Sequence, residues 1–182
     1  MSFIFLDRDG VINRFPGFGS YVTRWEEFEF LPKAIEAIAL LTKQGHELFV
    51  VSNQGCVAHG LISSQALRRL TRRMCRRIEK GGGKLAGVFY CEHRTSDDCD
   101  CKKPGTRLLE EALKGRRRND GPMVFVGDSE VDVEAGKNFG CRTVLVLSGR
   151  MSRKDVKSLS VKPDFVKKDL WDAANWILKK KY

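Results

Sequence analysis

The 182-residue sequence has no apolar run longer than a strand. Stretches such as "ELFVV" and "TVLVL" fall far short of the roughly 20 residues that a membrane-crossing helix needs. "MSFIFLDRDG" lacks the basic start and long apolar stretch of a secretory leader, so a cytoplasmic protein without membrane attachment is expected. Proline is scarce, at 5 residues, and no Pro-, Gly- or Ser-rich linker or internal repeat divides the chain. A single domain over 1–182 is the economical reading. Acidic residues are short relative to basic ones, 23 against 33, leaving a net charge of +10.

Much of that excess lies in "RRLTRRMCRR" (68–77), "GRRRND" (115–120) and the tail "KKKY". In the first, Arg68/Arg69, Arg72/Arg73 and Arg76/Arg77 recur every four residues, while Leu70 and Met74 fall on another side. This pattern predicts an amphipathic helix with a solvated basic face. No nucleic-acid-binding motif accompanies it, so nucleic acid is not expected as a partner. Small anions would be attracted, though weakly at cellular salt.

Short apolar runs alternate with helical patterns, which predicts a mainly parallel α/β sheet covered on both sides. The expected strands are "FIFLD" (3–7), "ELFVVSN" (47–53), "LAGVFYC" (85–91), "MVFVGDS" (123–129) and "TVLVL" (143–147). Expected helices follow Leu31, with Pro32 in the first turn, and Ser63 or Ser64, stopping at "GGG" (81–83). Three more are expected at "TRLLEEALKG", at 131–139 and at "DLWDAANWILKK".

Three predicted strands end in polar groups: Asp7 and Asp9, Ser52 and Asn53, and Asp128. Ligands of open parallel sheets bind outside the carboxyl ends of the strands, so these groups should meet along one edge. Phosphoryl transfer suits them. A carboxylate can attack phosphorus and split one hard hydrolysis into two easier steps. Asp7 and Asp9, two apart in extended chain, should leave the same face, one as nucleophile and the other as acid and then base. Two anions beside a phosphate require a cation, and Mg2+ fits, with Asp128 as a further carboxylate.

Together, "DRDGV" (7–11), "VVSN" (50–53), Lys103 and "GDSEVD" (127–132) resemble the four motifs of the haloacid dehalogenase superfamily. "FLDRDGVIN", "GSYV", "FEFLPKAIEAI" and "VVSNQGCVAHG" look most like its heptose bisphosphate phosphatases, with the histidinol-phosphate phosphatases as the nearest alternative. The resemblance implies a Rossmann-like three-layer α/β/α fold and a small phosphorylated metabolite as substrate; a monomer is expected. Asp7 would be the nucleophile and a magnesium ligand. Asp9 would be the acid/base, binding metal through its backbone carbonyl. Asp128 would complete the magnesium site, and Ser52 and Lys103 would hold the phosphoryl group. Substrate contacts would come from Ser20, Tyr21, Asn53, Gln54, Gly55, Lys102 and Ser129.

Cys91, His93, Cys99 and Cys101 form a C-x-H-x5-C-x-C pattern. Three thiolates and one imidazole suit a closed, structural Zn2+ site over 91–101. A disulfide or redox pair is the competing reading, but it leaves His93 without a purpose and fits a cytosolic chain poorly. The same zinc loop belongs to the phosphatases just named, and tying down Cys101 would fix the start of the segment that carries Lys103. Cys56, Cys75 and Cys141 read as packing residues, His46 as a turn residue and His59 as a surface residue.

The sequence departs from that family pattern at Lys102, Ser129 and His59, where basic residues, mainly arginine, are usual, and "NRFPGFGSYV" is about three residues longer. These changes bear on the substrate rather than on the reaction. The spacing between motifs leaves no room for a large cap domain. Two readings from other classes are a nucleic-acid end phosphatase recruited by the arginine helix and a non-catalytic zinc-loop binding module; the intact Asp7, Asp9, Lys103 and Asp128 set speaks against the second.

Overall fold

The computed structural model describes residues 1–116 and 121–179. Part of the basic stretch 115–120 and most of the tail "KKKY" lie outside them. Six strands, β1 (Phe3–Leu6), β2 (Glu47–Asn53), β3 (Gly87–Cys91), β4 (Met123–Gly127), β5 (Arg142–Val146) and β6 (Phe165–Lys167), form one sheet in the order β3-β2-β1-β4-β5-β6. Every pairing is parallel. The helices are α1 (Ala34–Lys43), α2 (Ser64–Lys80), α3 (Arg107–Ala112), α4 (Glu130–Phe139) and α5 (Leu170–Lys179).

Alternation along the central strands sorts the core into two layers. Ile4, Leu6, Leu48, Val50, Val124 and Val126 pack on one face with residues of α1, α2 and α5. Phe3, Phe5, Phe49, Val51 and Phe125 pack on the other with α3 and α4. The second layer is aromatic: Phe5 stacks on Phe49 and Phe125 and meets Phe139 edge-on. Both faces of the sheet are thus covered, as an all-parallel sheet requires.

The sequence signals act locally as their chemistry dictates. Ser63 caps α2 by accepting from the Ala66 amide, and Leu67, Leu70, Met74 and Ile78 bury one stripe of the helix. Gly81 ends it. Pro32 lies in a turn outside α1, which starts two residues later after Lys33 in the left-handed region. The short edge strand β6 was not expected; three half-buried residues give too little alternation to read. Register places Asn53 beside Cys91, so the end of β2 adjoins the start of the cysteine loop.

Candidate active site

Beyond Leu6 the chain turns sharply. The Arg8 carbonyl accepts from the amides of Val11, Ile12 and Asn13, and Gly10 takes a positive φ of 85°. Asp7 and Asp9 therefore do not face the same way, contrary to the extended-chain expectation. Asp7 Oδ1 accepts from Lys103 Nζ at 2.8 Å. The Asp9 carboxylate instead accepts from the Arg8 guanidinium, from Asn13 Nδ2 at 2.7 Å and from Gln54 Nε2 at 2.8 Å. Arg8 is fully buried beneath it, with Tyr90 and Phe28 against its guanidinium.

Lys103 is 4% exposed. Its ammonium donates to Asp7 Oδ1, to the Val51 carbonyl at 2.9 Å and to Asp132 Oδ1 at 2.5 Å. Burial works against its charge, but Asp132 and Asp7 more than offset this and hold the lysine well above its ordinary range. Burial pushes the Asp7 carboxyl up, opposed by Lys103 and reinforced by Asp132 and Asp9. Asp128 is pushed up well beyond the usual carboxylate range by burial and then by Asp132 and Asp7.

Asp7, Asp128 and Asp132 each offer an oxygen, all within 4.8 Å of one another. Asp7 and Asp132 share one lysine ammonium, and Asp128 Oδ1 is buried without a hydrogen-bond partner among the described residues. Asp128 Oδ2 accepts from the Arg150 amide at 2.8 Å. A Cβ at Gly10 or Gly149 would lie 2.1 Å or 2.0 Å from that same oxygen, so only glycine permits the close approach. An unpaired oxygen in a surplus of buried anions fits a divalent cation bound by carboxylates. Asp7 and Asp128 face this place as expected; the Asp9 carboxylate does not, leaving its backbone carbonyl as the ligand the resemblance implies. Asp132, which was not assigned, joins the cluster. It accepts from Lys103, from the amides of Asp128 and Ser129 and from Ser129 Oγ. Its place in "GDSEVD" was the available signal.

The second cluster is equally compact. Cys101 Sγ lies 3.2 Å from Cys91 Sγ and 3.5 Å from Cys99 Sγ, with Cys91 and Cys99 3.6 Å apart. His93 Nδ1 is 3.2 Å from Cys101 Sγ and 3.7 Å from Cys91 Sγ. Metal–sulfur bonds of about 2.3 Å in a tetrahedron imply S–S edges of about 3.8 Å, so the donor set fits zinc with no position left open. Burial and the two neighbouring sulfurs push the Cys101 thiol up, a crowding of thiols that a dication would relieve.

A cavity of about 500 Å³ opens over Lys103. Of the expected substrate contacts, Tyr21, Asn53, Gly55 and Lys102 line it. Three do not. Ser20 sits on an exposed turn closed by its own amide to Gly17. Gln54 is fully buried, and its amide is used on Asp9 and Ser52. Ser129 is 6% exposed and donates to Asp132. Gln54 and Ser129 thus brace other site residues, and Ser20 lies away from the cavity. His59 is exposed beside Tyr21 and does not line the cavity, in keeping with a surface residue.

The cavity also holds two cations that sequence reasoning missed, Arg94 and Arg150. Arg94 follows His93, and its Nε donates to the Ala58 carbonyl. Arg150 lies just beyond the carboxyl end of β5, its guanidinium over Phe15. The rule that ligands gather at strand ends could have found Arg150.

Residues 100–173 match the family model described as HAD-hydrolase-like. The D-glycero-beta-D-manno-heptose-1,7-bisphosphate 7-phosphatase of Pasteurella multocida (strain Pm70) is 36% identical over 161 residues, covering 85% of this chain and 86% of that protein. The chain belongs to the haloacid dehalogenase family of phosphatases. The D-glycero-D-manno-heptose-1,7-bisphosphate 7-phosphatase of Chlorobaculum tepidum is 30% identical, covering 93% of this chain and 90% of its own. Among solved structures, D,D-heptose 1,7-bisphosphate phosphatase from B. bronchiseptica, complexed with magnesium and phosphate, superposes with a TM-score of 0.89 at 29% identity over 100% of both chains. That from Burkholderia thailandensis gives 0.66 at 28% identity, over 99% of this chain and 100% of its own. Among the described residues of this family member, no helix is long and apolar enough to cross a membrane.

Proposed function

We propose that the chain removes the 7-phosphate of a D-glycero-D-manno-heptose 1,7-bisphosphate through an aspartyl-phosphate on Asp7. The observation that carries this reading is the cavity itself, in which Lys103 lies beneath a rim bearing Arg94, Lys102 and Arg150. A substrate with a second phosphate finds three further cations there. Histidinol phosphate, with a cationic amine in place of that phosphate, would meet repulsion. Arg94 and Arg150 supply positive charge that the departures at Ser129 and His59 take away.

Asp7 Oδ1 is engaged by Lys103, which leaves Oδ2 to attack phosphorus. Lys103, bridging Asp7 and Asp132, sets its ammonium beside the transferring group, where charge builds in the transition state. Ser52 Oγ accepts from Gln54 and can donate its own proton to a phosphoryl oxygen. Asp9 gives a proton to the leaving oxygen and later takes one from water, turning out of the hold of Gln54 to do so. Magnesium held by Asp7, Asp128 and the Asp9 carbonyl would neutralise the phosphate oxygens and the carboxylates around them. Zinc on Cys91, His93, Cys99 and Cys101 is structural in this reading. We take the protein to be a cytoplasmic monomer, since a thiolate cluster of this kind suits a reducing compartment.

Phosphate release should be followed on both anomers of the heptose bisphosphate, on heptose 7-phosphate and on histidinol phosphate, with magnesium. We expect kcat/KM for a bisphosphate to exceed the other two by at least about tenfold, since each 1.4 kcal/mol of added phosphate contact gives that factor. Equal or better turnover of histidinol phosphate would overturn the proposal. The relatives' names include both anomers, so the two are assayed separately.

A further inference from the structure

The arginines of α2 are used by nothing described above. All six are exposed, and among the described residues none forms an ion pair. Like charges four apart destabilise a helix. Here that arrangement is repeated along the helix, whose one carboxylate, Glu79, forms no ion pair among the described residues. Cations near a helix carboxyl end are favourable, which accounts for Arg77 and Lys80 but not for Arg73 and Arg76.

The carboxyl-terminal half of α2 and the segment from Trp25 to Phe30 enclose a cavity of about 570 Å³. Its walls are Trp25, Phe28 and Phe30 on one side and Arg73, Arg76, Arg77 and Lys80 on the other. It shares no lining residue with the active-site cavity. The two cation pairs, Arg73 with Arg77 and Arg76 with Lys80, are each four residues apart, so each forms a short row along the helix.

The aromatic wall is ordered. Trp25 stacks on Phe28 with ring centroids 5.3 Å apart and planes within 5°, and the Arg73 guanidinium lies over Trp25 at 4.8 Å. Such a contact fixes a planar fork before any ligand arrives, reducing the freedom lost on binding. Nearby acids do not line the cavity: Glu27 is paired with Arg24 and Glu29 with Arg14, Glu26 lines an adjoining smaller groove with Arg69 and Arg73, and Glu79 of α2 is not among the lining residues.

We propose that this cavity is a second anion site, separate from the catalytic one, that takes a polyphosphate chain of small-molecule size. Two rows of cations match a run of linked phosphates rather than a single one, and the cavity volume is that of a small-ligand site. The chain is that of a nucleoside triphosphate or of an inorganic polyphosphate.

Calorimetry at physiological salt without added magnesium, on the full-length zinc-loaded protein, tests this with tripolyphosphate and adenosine triphosphate as probes. The expected result is saturable binding that weakens at least tenfold in R73A/R77A and stays within twofold in R68A/R72A. Hydrolysis of p-nitrophenyl phosphate should be unchanged in both variants. Tighter binding of adenosine triphosphate than of tripolyphosphate assigns the site to the nucleotide, and equal or weaker binding assigns it to the inorganic chain. Equal losses in the two double variants would show a diffuse basic face and overturn the site. So would unchanged binding in R73A/R77A, no binding at all, or affinity that rises steadily with the length of an added oligonucleotide.

Discussion

Asn53 grips the backbone of Lys103 from both sides: its Oδ1 accepts from the Lys103 amide at 2.9 Å and its Nδ2 donates to the Lys103 carbonyl at 3.1 Å. Asn53 ends β2, whereas Lys103 leaves the cysteine loop two residues after Cys101. A strand end and a four-donor cluster thus hold the same short segment. Asn53→Ala leaves both backbone groups without their partners, a loss of about 1–3 kcal/mol where they stay buried. Turnover should fall about 10- to 100-fold with the protein still folded. Asn53→Asp keeps the acceptor but loses the donor, and should recover part of the activity in steady-state assays.

Asp7→Asn removes the attacking charge while keeping the shape. Hydrolysis should drop by several orders of magnitude, and circular dichroism should report an intact fold. Acid-quenched wild-type enzyme should carry phosphoryl on Asp7 by mass spectrometry; label on another residue would remove Asp7 from the nucleophile's role.

Asp128 is buried with Asp7 and Asp132 as close anionic neighbours, an arrangement that costs stability when no cation is present. Asp128→Asn relieves the repulsion and keeps the group that accepts from the Arg150 amide. In magnesium-free buffer the variant should be more stable by about 1–3 kcal/mol, which for a chain of this size raises Tm by several degrees. Wild type should gain stability from added magnesium and the variant little, while the variant's activity falls sharply at every magnesium concentration.

Arg94 and Arg150 both line the cavity, one anchored on the Ala58 carbonyl and the other over Phe15. Neither touches Asp7 or Lys103 in the described contacts. R94A and R150A should therefore raise KM for a bisphosphate about tenfold each with kcat nearly unchanged, the pattern of a lost uniform binding contact. Their effect on a monophosphate should be small. A fall in kcat alone would place them in the chemistry instead.

Much of this was legible in the sequence because strand ends are written in short apolar runs that stop at a polar residue. "FIFLD", "VVSN" and "VFVGDS" gave the edge where Asp7, Ser52 and Asp128 meet, and the spacing of Cys91, His93, Cys99 and Cys101 gave the second cluster. The direction of Asp9 was not legible, since it depends on how the Arg8 carbonyl closes the turn through three amides. Gln54 reads as a substrate contact through the resemblance, and only tertiary packing reveals it buried between Asp9 and Ser52. Arg94 and Arg150 were missed because a basic residue in a basic chain carries little information until the fold gives it neighbours.

The cysteine cluster and Asn53 hold one segment, and this makes their contributions dependent on each other. Zinc should be present at about one ion per chain, and its binding should add directly to folding stability. Cys99 is also tied to the segment through the Lys102 amide, which donates to its sulfur and, against the effect of burial, helps bring the thiol down to about 7. Cys99→Ser removes one ligand and weakens that tie, so the variant should melt earlier and release zinc to a weaker chelator than wild type does. If both anchors act through Lys103, the losses of activity in C99S and N53A should not add. Once one anchor is gone the lysine is already displaced, and the double variant should be less impaired than the product of the single losses by a factor corresponding to about 0.5–3 kcal/mol of coupling. Full additivity in kcat/KM, with zinc still lost, would mean that the metal stabilises the loop without positioning the lysine.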